Sequence, residues 1–141
     1  MNNNILNENN VVLGLESVSK EEAIKMAGKK LVENGYVSES YIDAMLEREK
    51  LMTTFMGMGV AIPHGVNEAK KDIKASGIVI LQFPNGVEFD GEKAYLIIGI
   101  AGVGDEHLEI LSNIATVLDD ELTERLKDTN SKIDLLEAFS I

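Results

Sequence analysis

No cysteine occurs among the 141 residues, only two prolines and two histidines are present, and 13 Lys and Arg stand against 24 Asp and Glu. Without cysteine there is no disulfide, no thiolate nucleophile and no cysteine-based zinc site. No apolar run approaches the roughly 20 residues that span a bilayer. The first ten residues, "MNNNILNENN", lack the basic and apolar regions of a secretion signal. A soluble cytoplasmic protein without membrane insertion is expected. The net charge of −11 argues against nucleic acid as a partner, because such binders need a clustered basic face to release counterions. Lys70, Lys71 and Lys74 are too few for that face and read as one solvated turn. Repeats, Pro/Gly/Ser linkers, nucleotide-binding glycine fingerprints and a Gly-x-Ser-x-Gly elbow are all missing.

What is present is an ordinary globular balance, 45% apolar and 26% charged. The length fits one domain over residues 1–141, with residues 1–9 as a loose tail. "SVSKEEAIKMAGKKLVENG" predicts a helix with a capping box from Ser19 and Glu22 and a glycine stop at Gly35. "VSESYIDAMLEREKL" predicts a second helix, capped by Ser38, with Ile42, Met45 and Leu46 on one face and Arg48 near its end. "GVAIP", "ASGIVILQF" and "AYLIIGIAG" are Val- and Ile-rich runs of the kind that form buried strands. "PNG" at 84–86 reads as a turn between "IVILQF" and "VEF". "GDEHLEILSNIATVLDD" returns to helical period, with Leu108, Leu111, Ile114, Ala115 and Leu118 inward. Two short helices follow, the second capped by Ser131. With a weak first strand at "VVLG", about five strands interleave with helices, an α/β layered sheet.

Both histidines fall at carboxyl ends of predicted strands, where ligands gather in such sheets. His64 follows "GVAIP". Pro63 stiffens the approach to it, and Gly65 leaves the imidazole uncrowded and open to a partner's backbone. An accessible, pre-set imidazole suits attack on phosphorus. A loop histidine with no role is the plain alternative. His107 lies in a helix's first turn after "AGVG", with Asp105 as N-cap. The helix dipole there attracts anions and disfavours imidazolium, so a neutral ring is expected. A zinc site built from the two histidines with Asp105, Glu106 or Glu109 is an alternative that the spacing does not support. Arg48 answers its helix dipole or pairs with Glu47 or Asp43. The six methionines read as core filler.

Taken together, "SKEEAIKMAGKKLVENGYV", "YIDAMLEREKLMTTFMG", "GVAIPHGVNEAK", "FPNGVEF" and "IIGIAGVGDEHLEILSNIATVLDDE" carry a resemblance over nearly the whole chain. The sequence resembles the type-2 A component, enzyme IIA, of the bacterial sugar phosphotransferase system, in its mannitol/fructose branch and nearest the mannitol subgroup. The resemblance implies a mixed sheet of about five strands between helices, an α/β/α sandwich. It implies that His64 is phosphorylated through Nε2 by the histidine-containing phosphocarrier protein. The group would then pass to a cysteine of the mannitol-specific IIB component and on to mannitol crossing through IIC. His107 and Arg48 match the residues that the family holds beside that histidine, where they would stabilise the phosphoryl group. No cofactor or metal is implied.

Because the chain ends at Ile141 and has no cysteine, the IIB and IIC components are expected on separate chains. A shallow apolar docking patch is expected around Met56, Met58, Val60, Ile62 and Val66, rimmed by acids such as Glu68 or Glu106. The alternatives from other classes are a regulatory or fructose-type IIA module of the same fold and a small histidine-dependent hydrolase.

Overall fold

Five strands make one sheet: β1 (Val11–Val12), β2 (Phe55–Gly57), β3 (Val60–Ala61), β4 (Gly77–Phe89) and β5 (Glu92–Ala101), in the order β1-β4-β5-β3-β2. This is a computed structural model, and it describes residues 4–139. The two long strands pair antiparallel at the centre, β1 lies parallel to β4, β3 parallel to β5, and β2 antiparallel to β3. The sheet is therefore mixed, as the resemblance implied.

The apolar runs of β4 and β5 are buried on both faces, so their side chains feed two cores by strict alternation. Val79, Leu81, Phe83, Ile97 and Ala101 face one core, completed by α1 (Lys20–Glu33) and α2 (Ser40–Leu51). Ile78, Ile80, Leu96, Ile98 and Ile100 face the other, completed by α3 (Glu106–Val117), α4 (Asp120–Leu126) and α5 (Lys132–Phe139). Each fully buried Ile or Leu contributes roughly 1.5–3 kcal/mol of hydrophobic stabilisation. Helices thus cover both faces, giving three layers.

α1 begins as the sequence indicates: Ser19 Oγ accepts from the Glu22 amide at 3.2 Å. It ends in a Schellman motif, with Tyr36 N–H donating to Leu31 O and Gly35 N–H to Val32 O, both at 3.0 Å. Ser38 does not cap α2 through its hydroxyl. Its carbonyl accepts from Tyr41 N, while its Oγ contacts Ser40 and Asp72. Ser131 likewise serves α5 through its carbonyl, which accepts from Asp134 N.

Three further expectations change. "PNG" is not a turn: β4 runs through it with a register shift between Gln82 and Val87. Pro84 is tolerated there because β1 has already ended, its last pair being Val12 with Leu81. The hairpin turns instead at Asp90 and Gly91, with φ of 52° and 99°, between the paired Phe89 and Glu92. On α3, Ile110 and Ile114 face inward and Leu118 follows them, whereas Leu108 is 67% exposed and Ala115 is also on the surface. Finally, the stretch read as a loose tail is fastened from residue 4 onward. Ile78 N–H donates to Ile5 O, Asn10 Nδ2 donates to Ile78 O, Tyr36 OH donates to Asn4 O, and Leu6 is buried. Residues 1–3 lie outside the described residues.

Candidate active site

The chain leaves β3 through Ile62 and Pro63 and stays beside β5, where His64 pairs in parallel with Ile100 and Ile100 N–H donates to Pro63 O at 3.0 Å. This holds the backbone of His64 at the carboxyl end of the sheet. Its ring is fixed as well: Nδ1 lies 2.8 Å from the Ile62 carbonyl oxygen. A carbonyl only accepts, so Nδ1 carries the proton and the lone pair of the neutral ring is at Nε2. The residue is only 8% exposed, so the imidazole is enclosed except along the cleft it lines, rather than bare.

Gly65 has a different purpose from the one its sequence suggests. A Cβ there would lie 2.6 Å from Cε1 of Tyr41, so the glycine makes room for the tyrosine ring. The Tyr41 hydroxyl accepts from Gly65 N–H and donates to Ile100 O, both at 2.9 Å. One buried phenol thereby joins α2, β5 and the segment leaving His64.

His107 arrives from the opposite layer, in the first turn of α3. A Cβ on Gly102 would run into the His107 backbone, so this glycine lets α3 start tight against the end of β5. Asp105 occupies the N-cap position without a side-chain capping bond. The turn is pinned instead by Ser76, whose Oγ donates to Glu106 Oε1 at 2.6 Å and accepts from Val103 N–H at 2.9 Å. Glu106 is therefore engaged in this network.

The two imidazoles end with ring centroids 5.1 Å apart, inclined by 60°. Arg48, from the last turn of α2, lines the same cleft of about 360 Å³ together with Met52, His64, Val66, Glu68 and His107. Its Nη1 donates to the Met52 carbonyl at 2.6 Å, at the carbonyl-rich end of α2. Among the described residues it forms no ion pair with Glu47 or Asp43. Burial lowers the pKa of His64, with Arg48 adding to the drop while the Ile62 bond and Glu49 oppose it. Burial, then His64 and Lys70, lowers that of His107. Both shifts favour the neutral ring.

The structure thus brings His64, His107 and Arg48 to one cleft from three elements. Asp105, Glu106 and Glu109 do not complete a metal-ligand cluster with the histidines among the described residues. The expected apolar patch does not form around the five named residues. Val60 and Ile62 are buried in the second core, and Met56 and Met58 pack against it. Of the five, Val66 alone lines the cleft. The exposed apolar side chains at this end are Leu51, Met52, Val103 and Leu108, at 72%, 68%, 45% and 67%. Tyr41 and Glu49 were missed in the sequence, although they fall with Met45 on one helical face at spacings of four, a pattern that marks both as inward-facing.

A neutral imidazole with its lone pair at Nε2, a second neutral ring and a guanidinium at one opening form a set suited to holding a phosphoryl group. Residues 4–140 match the family described as "Phosphoenolpyruvate-dependent sugar phosphotransferase system, EIIA 2". The chain belongs to the EIIA 2 family. This EIIA chain is 49% identical over 138 residues to the mannitol-specific phosphotransferase enzyme IIA component of Bacillus subtilis (strain 168), covering 96% of each chain. Its fold is similar to enzyme IIAMTL in the complex with phosphorylated enzyme IIBMTL from Escherichia coli. That match has a TM-score of 0.89 and 40% identity, and covers 96% of both chains. Against the nitrogen regulatory protein IIA-Ntr from Neisseria meningitidis the TM-score is 0.81 and the identity 28%, with 96% of both chains covered. The EIIA chain is thus a phosphotransferase component of this system. Among the described residues no helix is long and apolar enough to cross a membrane.

Proposed function

We propose that this chain is a cytoplasmic phosphocarrier for mannitol uptake, that His64 Nε2 is its phosphoryl acceptor, and that His107 and Arg48 stabilise the group in transit. The lone pair on Nε2 attacks the phosphorus carried by the histidine-containing phosphocarrier protein. One N–P bond forms as the donor's N–P bond breaks. The second transfer runs to the cysteine thiolate of the mannitol-specific IIB component, forming P–S and freeing Nε2, and IIC passes the sugar that finally receives the group. Little covalent work is asked of the protein; alignment and neutralisation of the equatorial oxygens do most of it. Those are the services that a neutral His107 donor and a planar guanidinium supply.

The observation that supports this reading is the 2.8 Å contact between His64 Nδ1 and Ile62 O, which leaves the Nε2 lone pair available in a ring lining the cleft. The higher identity to the mannitol-specific component than to the nitrogen regulatory one favours transport over a regulatory role. The test is incubation with phosphoenolpyruvate, enzyme I and the histidine phosphocarrier, followed by mapping of bound phosphate. An acid-labile, alkali-stable phosphoramidate at His64, absent from His64→Gln, is expected. Full labelling of His64→Gln overturns the assignment.

A further inference from the structure

We infer that Glu49 is a positioning residue for the transfer site: its buried carboxylate fastens the chain between α2 and β2 so that His64 and Arg48 are held at one cleft. The inference rests on His64 as the phosphoryl acceptor.

Glu49 lies on the inward face of α2, and its side chain is 4% exposed. A carboxylate so enclosed is costly unless its oxygens are fully engaged. Here they are. Oε1 accepts from both Thr54 N–H, at 2.8 Å, and Thr54 Oγ1, at 2.6 Å. Oε2 accepts from Thr53 Oγ1 and lies 3.5 Å from Lys20 Nζ. Lys20 in turn reaches Asp90 at 3.1 Å, in the turn of the central hairpin. Burial alone would lower the pKa of Lys20, but Asp90 and Glu49 together raise it, so this cation persists.

From Thr54 a path of hydrogen bonds runs to the nucleophile. Thr54 O accepts from Ile62 N–H at 3.0 Å, and Ile62 O holds His64 Nδ1 at 2.8 Å. The same linker carries Met52, whose carbonyl holds the Arg48 guanidinium. Releasing residues 53 and 54 therefore loosens the imidazole's hook and the guanidinium's rest together. Glu49 also places negative charge near a ring that Arg48 would otherwise bias against protonation. The charged or titratable groups around the two rings are Tyr41, Arg48 and Glu49 from α2, His107 from α3, and Glu68 and Lys70 from the turn after His64.

The experiment compares the full chain with Glu49→Gln, which preserves shape but removes the charge and replaces one accepting oxygen with a donor. The His64 imidazole is followed by NMR from about pH 5 to about pH 8, the range where histidine titrates. Phosphate acceptance from the phosphorylated histidine phosphocarrier is timed in parallel. In Glu49→Gln the ring should titrate at lower pH than in the parent, its Nδ1–H signal should weaken, and acceptance should slow about tenfold. Lys20→Met removes a partner but keeps the carboxylate, so His64 should not titrate lower there. A Glu49→Gln chain whose His64 titration and tautomer match the parent's overturns the inference. Should that variant not fold, Thr54→Val removes one donor while keeping the buried charge. An unchanged acceptance rate and Nδ1–H signal there overturn the inference equally. The imidazole readout needs no phosphate, so it stands apart from any failure of His64 to label.

Discussion

The Tyr41 hydroxyl and the Gly65 amide nitrogen are 2.9 Å apart, and the tyrosine ring fills the space that any side chain at position 65 would take. Burial pushes the Tyr41 pKa up to about 12, against the opposing effect of the Gly65 N–H, so the hydroxyl keeps its proton for Ile100 O. Tyr41→Phe removes both bonds and should cost about 1–3 kcal/mol, read as a lower denaturant midpoint with an unchanged slope. Gly65→Ala must move the ring or the segment after His64, and about 1–3 kcal/mol of overpacking cost is expected. A Gly65→Ala midpoint equal to the parent's would show that the ring shifts freely.

Stability should fall as the pH drops below the ordinary histidine value of 6.5. Both folded-state pKa values are lowered, so in the window just under 6.5 the unfolded chain binds more protons than the folded one. Unfolding is then favoured by acid, and stability rises with pH until the unfolded histidines have also lost their protons. Thermal midpoints across this window test the sign. A His64→Gln/His107→Gln variant should show a flatter profile, and an equally steep one would assign the dependence to other groups.

His107→Ala should still accept phosphate at His64 but hold and deliver it poorly. Loss of one donor aimed at developing charge costs up to about 4 kcal/mol. Arg48→Lys keeps the charge and loses the planar fork that now reaches Met52 O, so transfer should slow while the fold persists. Rates of acceptance from the phosphocarrier and of delivery to the IIB component separate the two steps. Unchanged rates for His107→Ala would make that ring structural.

Met52→Asp and Leu108→Asp change side chains that are 68% and 67% exposed beside the histidine pair. Stability should stay within about 0.5 kcal/mol. The expected effect is a higher KM for the phosphocarrier at unchanged kcat, because an apolar contact is lost and the chemistry is left alone. A parental KM for both variants would place the docking surface elsewhere.

Much of this architecture is written in local pattern. The Val- and Ile-rich runs of β4 and β5, short and bounded by turn residues, read as buried strands, and Ser19 with Gly35 brackets α1. What is not local is not written there. The order β1-β4-β5-β3-β2 arises from pairings between distant segments, and two-residue strands such as β1 and β3 carry no period of their own. "PNG" misleads because proline and glycine mark a register shift as readily as a turn, whereas "DG" before Glu92 carries the stronger hairpin signal. His64 and His107 are legible as candidates through their strand ends, and Arg48 only through the family resemblance. Their supports are not, because Tyr41, Glu49 and Ser76 act through partners remote in sequence. Helical period alone leaves the apolar face of α3 uncertain by one position, and so places Leu108 inward. His107 and Ile110 take that face instead.

Both margins of the sheet are unusually short. β1 has two residues, and β2 has three with an irregularity between Phe55 and Gly57. Beyond β1 the flank of β4 is occupied: Leu15 N–H donates to Gln82 O, Gly14 N–H to Gln82 Oε1, and Ser17 Oγ to Gly86 O, with Pro84 between them. A foreign strand therefore finds no extended ladder to join, and self-association into stacked sheets is blocked at either side. A carrier that meets successive partners gains from this. With no ladder offered at either edge, release of a partner need not unzip backbone from backbone.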